Sequence, residues 1–435
     1  MVFNEKESTS MKYLIIVFFL GCIVISSCGN NHSINEEGSA QIFSYPATIR
    51  PADGLKNQAG IKLSEVADSI RYVILSPGKA VAVNFVFEVE LTDSAIITAV
   101  SQCPFLIFDL NGRFIDTIGG FGRGPDEYMP GSKFSIDPFT REIIVYRNFL
   151  HDYVRFDSRG RFIDKHPLRF SGSVESFVSL SGNRLALLPA YDGREVLEDN
   201  IRNSMILMGI FDQTGNILSE ISHPARNIPS DFDASRFIAG TWTGRNTFYN
   251  NEVVTPCYDN TVYKINSDSI YPGFRIDWDK LPVPETFEDR FYIRSRSASY
   301  PFAEIRGKFV ETGSHAFFIL KYKETNYLIV YDKIKGTTGS MPFAGDSRVG
   351  LINDLDGGQP FFPSWTNRAG DIWIDFVEAI DLRKELTQTF ISENEIVDQQ
   401  NNAKRISFIN NLQPDDNPVL RIVYLKKQNP GKGGN

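Results

Sequence analysis

What the 435-residue chain lacks narrows its chemistry first. It has four cysteines, and only Cys103 and Cys257 lie beyond the first thirty positions, which excludes a disulfide-built scaffold. The five histidines, at 32, 151, 166, 223 and 315, show no metal-ligand spacing, and HExxH, CxxC and GxSxG are all missing. Neither a metal centre nor a cofactor is therefore expected. Positive charge is also short: the net charge is −8 and the pI about 5.4, so no global field attracts a nucleic-acid backbone. The longest apolar run, over 13–25, has 13 residues against the roughly 20 that span a bilayer.

That run has a different meaning. It follows Met11-Lys12 and ends in Ile25-Ser26-Ser27-Cys28, the layout of an export signal closing on a bacterial lipobox. Residues 1–28 are expected to be a signal peptide, with Cys28 as the lipidated anchor, and the protein is expected in the bacterial cell envelope at the outer membrane. The stretch 29–60, rich in Asn, Ser, Glu and Gly, reads as a flexible tether. The folded body is placed at 61–427 and a disordered tail at 428–435.

The body is ordinary globular material, 42% hydrophobic, and its 34 Phe and 17 Tyr in short branched runs lean to strand. A phrase repeats through it: an apolar run, an Asp, a turn and a second alternating run. It occurs as LIFD-LNGRFIDTIG from 106, VRFD-SRGRFIDKHPL from 154 and GIFD-QTGNILSEIS from 209, with weaker copies from 262 and 328. The Asp residues at 109, 157 and 212 are 48 and 55 residues apart, close to the roughly 40 to 50 of a four-stranded propeller blade. Asn-Gly, Arg-Gly and Thr-Gly at the turns tolerate positive φ, so each phrase is a hairpin, and two more strands fit before it. Strands over 371–376 and 419–424 form most of a sixth unit that lacks a strand of its own. The orphan strand over 69–75 would complete it and close the ring. The reading is an all-β, six-bladed β-propeller of four-stranded antiparallel blades, with a small helical insertion over 381–390 and 403–412. Cys103 and Cys257, in opposite blades, are too far apart to bridge.

The phrase GRGPDEY over 122–128, DNPVL over 416–420 and the opening LSEVADSIRYVIL over 63–75 resemble the six-bladed β-propeller lipoproteins of Bacteroidetes. The resemblance covers nearly all of the mature chain. It implies a cell-envelope lipoprotein with this fold and no particular reaction.

On a propeller, function collects on the face where the outer strand of one blade hands over to the inner strand of the next. That face receives 119–128, 147–152, 189–194, 223–236, 256–260, 279–305 and 343–365. Its candidate ligand contacts are Arg123, Asp126, Tyr128, Arg147, His151, Tyr191, Tyr258 and Trp365, since rings stack on sugars and guanidiniums bind oxygens. The glycines at 119, 120, 122 and 124 fail the dinucleotide fingerprint because position 125 is Pro. Asp126 and Glu127 are adjacent and point apart, which does not suit a shared acid and base. Asn353, Asp354 and Asp356 before two glycines read as a solvated turn rather than a calcium loop. Two functions fit. One is a binding module on the envelope for a carbohydrate or protein partner, with the membrane reached only through the lipid anchor. The other is a propeller-fold polysaccharide lyase or glycoside hydrolase.

Overall fold

The computed structural model describes residues 43–76, 83, 85–148, 150–168, 170, 173–191, 198–227, 246–257, 259–283, 302–343 and 348–427. The export signal, Cys28, the tether to residue 42, Tyr258 and the tail over 428–435 lie outside them.

Six four-stranded antiparallel units form the expected six-bladed propeller. The inner strands are Val86–Leu91, Lys133–Ile136, Ser173–Leu180, Thr247–Tyr249, Glu304–Glu311 and Trp365–Thr366, for blades 1 to 6 in order. Each blade then steps outward through its hairpins, and Phe105–Asp109 to Phe114–Ile118 is the outer hairpin of blade 1. Apolar alternation explains where the core lies. Each blade has two faces and must bury both, so the hydrophobic clusters sit between neighbouring blades. Ile97, Phe105 and Ile107 of blade 1 meet Phe134, Ile143 and Val154 of blade 2 in one such layer, for instance. Trp373 is fully buried between Phe317 and Phe361, with ring centroids 5.8 and 6.4 Å away. A large apolar side chain buried in this way contributes about 1.5–3 kcal/mol.

The ring closes as the orphan strand demands. Ala67–Ile74 pairs antiparallel with Val419–Leu425 and becomes the outer strand of blade 6. Buried charge secures the joint: Arg421 donates to both oxygens of Asp375 at 2.9 and 2.7 Å, and Tyr72 donates to Asp356 at 2.8 Å. The acidic run expected as a solvated turn is thus buried. Asp354 accepts the backbone N–H and hydroxyl of Ser64, while Asn353 and Gly358 donate to Asp356. The local pattern showed polar residues beside glycines; only their distant partners decide that they are interior. The helical insertion is present as Ala379–Lys384 and Gln399–Asn411, and Arg405 of the longer helix pairs with Glu385 at 2.9 Å.

Residues 43–60, expected as part of a flexible tether, are built onto the ring. Ala47–Ile49 adds a fifth, parallel strand to the edge of blade 4, and Pro51–Lys56 is a short helix against the outer strand of blade 5. The averaged composition over 29–60 hid the anchors Phe43, Tyr45 and Ile49, which pack into the layer between blades 4 and 5. Cys103 and Cys257 are both free thiols.

Candidate functional site

The inner strands enclose a central channel with a cavity of about 580 Å³. Its walls come from every blade: Glu88 and Glu90 from blade 1, Lys133 from blade 2, Glu175 and Ser176 from blade 3, Asn246 from blade 4, Lys308 from blade 5 and Trp365 from blade 6. Inner strands can carry such residues because one edge of each faces the axis, whereas the blade faces must be apolar. The inner strands all begin at the same end of the ring, and Phe85, Lys133, Asn246 and Trp365 at those beginnings mark the mouth. This is the face that the hand-over connections share.

The mouth is aromatic. Phe85 and Phe87 are 48% and 60% exposed, with their rings 4.9 Å apart, and Phe85 and Trp365 each lie 5.8 Å from Phe376. Exposed rings of this size cost solvation unless something stacks on them. Just below, Lys308 donates to the carbonyl of Asn246 at 3.2 Å and sits 5.9 Å from the Trp365 ring, and Asn246 donates to Ser176.

The far end is crossed by one side chain. Arg368, from the hairpin between the first two strands of blade 6, donates to the carbonyls of Ser179 in blade 3 and Ile136 in blade 2, both at 3.0 Å, and to the Ser135 hydroxyl. It lies 3.7 Å from Glu90 of blade 1 and 4.3 Å from the Phe248 ring of blade 4. A guanidinium that reaches four other blades must lie across the axis. The channel is therefore a shaft with a floor.

Glu88 stands between floor and mouth. Removal from water, and then the charge of Glu90, push its carboxyl up to about 7, although Lys133 and Lys308 pull the other way. Burial also raises Glu90, against the pull of Arg368. The side chains of Glu88, Lys133 and Glu175 make no hydrogen bond or ion pair among the described residues. These groups can donate to and accept from hydroxyls. Among the described residues no group of three His, Cys, Asp or Glu side chains is arranged to hold a metal.

Of the residues singled out from sequence, Trp365 lies on the channel wall. Tyr258 lies outside the described residues, and the remaining candidates are placed elsewhere. Tyr128 is fully buried, its hydroxyl donating to the Ile118 carbonyl at 2.6 Å and accepting from the Phe105 N–H at 2.7 Å. Arg147, 2% exposed, pairs with Asp152 and donates to the carbonyls of Gly124 and Glu127 at 3.0 and 2.8 Å, so it staples the glycine-rich loop. Tyr191 is buried and accepts from the Ile206 N–H at 2.9 Å. His151 is an exposed turn residue with φ 50°, bonded through its backbone to Arg147 and Leu168. Arg123 and Asp126 are exposed on the loop and do not line the channel. Attention to loops passed over the inner strands. The signal that could have found them is FEVE at 87–90, charge at alternate positions in the first strand of a blade.

A family model described as a domain of unknown function, DUF4934, matches residues 46–424. Among solved structures, a Bacteroides fragilis protein described as exported is 16% identical, with a TM-score of 0.59 over 85% of this chain and 98% of that one. A member of the DUF4221 family from Bacteroides vulgatus is 13% identical, with a TM-score of 0.45 over 85% and 99%. At 16% identity the likeness to the Bacteroides fragilis structure is one of fold. No curated protein matches the chain.

Proposed function

The chain belongs to the DUF4934 family, and from that premise we propose that it is a lipid-anchored propeller of the cell envelope that binds a glycan in its central channel. The carrying observation is the pairing of an aromatic mouth with unpartnered carboxylates and an ammonium inside one shaft. Sugar rings stack on aromatic faces, and their hydroxyls match groups that both donate and accept. The lipobox ending at Cys28 supports anchoring, and the export description carried by the Bacteroides fragilis structure supports an envelope location. A protein ligand would have to present a narrow projecting loop to enter the shaft, which favours the glycan.

The test is a glycan array probed with the chain from residue 29, beside the Trp365→Ala and Glu88→Gln variants. Retention of a defined saccharide family, weakened in both variants, supports the reading; no retention on any saccharide refutes it. Metabolic labelling with palmitate, lost in Cys28→Ala, tests the anchor. One observation favours a second reading as a polysaccharide lyase or glycoside hydrolase: Glu88, with its carboxyl up to about 7, keeps a proton to give near neutral pH. New unsaturated or reducing ends in the retained saccharide would establish that reading.

A further inference from the structure

We propose that the channel recognises the end of a saccharide chain and not its interior, an inference that rests on the glycan-binding role argued above. A polymer held by its middle needs a groove with two exits or a pore open at both ends. Among the described residues, this channel is obstructed at one end. Arg368 crosses the axis and is fixed to blades 1 to 4.

The floor is rigid because its hairpin is also pinned. The N–H groups of Asn250 and Asn251 donate to the carbonyls of Ala369 and Arg368 at 3.0 Å. Gly370, with φ +77°, lies so close to blade 4 that a Cβ there would meet the Phe248 carbonyl oxygen at 2.6 Å. These contacts hold the hairpin against blade 4 and set where its guanidinium stands.

Depth and chemistry then assign the ligand's parts. The cavity of about 580 Å³ falls within the roughly 300–1,000 Å³ of sites that enclose small ligands, so it admits a short saccharide and no more. The side chains of Glu88, Glu175 and Lys133 line it without partners among the described residues. These half-buried groups have hydrogen-bonding capacity that no other side chain takes up, and a terminal sugar unit, with more free hydroxyls than an internal one, matches it best. Phe85 and Phe87 stand exposed at the lip, where the next unit leaves the shaft and stacks.

The experiment is competition on the array positive of the chain from residue 29. Free oligosaccharides of two to six units are compared with the long polymer of the same linkage, each tallied by moles of chain ends and by moles of repeat units. End recognition predicts that oligomer and polymer compete equally per chain end and that affinity stops rising once the shaft and lip are filled. It also predicts that Phe87→Ala, at a side chain exposed enough to leave the fold intact, weakens oligomer binding roughly two- to tenfold. Competition that scales with repeat units, or affinity that climbs through the whole series, overturns the inference while leaving glycan binding standing. Absence of any array positive overturns the glycan reading itself.

Discussion

Glu311→Gln tests whether the N-terminal segment is part of the fold. Glu311 is buried at the end of the blade 5 inner strand, where it accepts from Lys333 at 2.7 Å, Lys264 at 3.3 Å and the Tyr45 hydroxyl. Lys264 also pairs with Glu252 at 2.9 Å, so two carboxylates balance two ammonium groups. Phe43 and Tyr45 cover the pair, with their ring centres 4.4 Å from Lys333 and Lys264 respectively. The amide keeps the shape and removes one charge, leaving an uncompensated buried ammonium. Breaking one partner of a buried pair costs about 3–5 kcal/mol. At about 2.1 cal/mol/K per residue over the roughly 380 residues of the body, the unfolding entropy is about 0.8 kcal/mol/K, so Tm should fall by about 4–6 °C. Burial already holds the Lys333 ammonium below its ordinary range, and losing Glu311 lowers it further. A group whose folded pKa is depressed binds fewer protons folded than unfolded, so the variant should regain stability as pH rises from 7 toward 10. Thermal melts at pH 7 and 9.5 read both effects. Because the Tyr45 hydroxyl donates to Glu311, Tyr45→Phe and Glu311→Gln should be non-additive by more than about 0.5 kcal/mol. A Tm change under about 1 °C, or additive costs, would refute the account of residues 43–60 as an integral part of the body.

Three further outcomes follow from the geometry. Glu88→Gln should raise Tm relative to the parent more at pH 8 than at pH 5, since the parent carboxyl, with its folded pKa pushed up to about 7, is charged in the channel only at the higher pH; an advantage independent of pH would contradict this. Arg147→Ala, which strands Asp152 and two loop carbonyls, should cost about 3–5 kcal/mol in urea unfolding, whereas exposed Arg123→Ala should stay within about 0.5 kcal/mol; equal costs would show that the loop is held in another way. Burial, and then the charge of Arg226, lower the pKa of His223 to about 4, so part of the native stability is lost as pH falls from 6.5 toward 4. That stretch of the Tm–pH curve should be shallower in His223→Gln, and an unchanged slope would exclude His223 as its source.

The sequence alone determined the ring. A hairpin phrase with a fixed internal order imposes four-stranded blades, because turn chemistry and alternation are local properties, and an orphan strand at one end with a deficit at the other dictates closure. It also marked Cys103 and Cys257 as too distant to bridge. What it could not determine was which polar residues are committed to the fold. Tyr128 and Arg147 look like free loop groups until backbone atoms 10 to 23 residues away in sequence take their hydrogen bonds. The mirror case is Glu88, Glu90 and Lys308, charges in strands that pattern alone assigns to the core. Only the tertiary structure opens a channel beside them, because the axis exists only once six blades have closed around it. Arg368 shows the same limit most plainly: its partners lie 120 to 278 residues away in sequence, so nothing local to its hairpin announces that it closes the shaft.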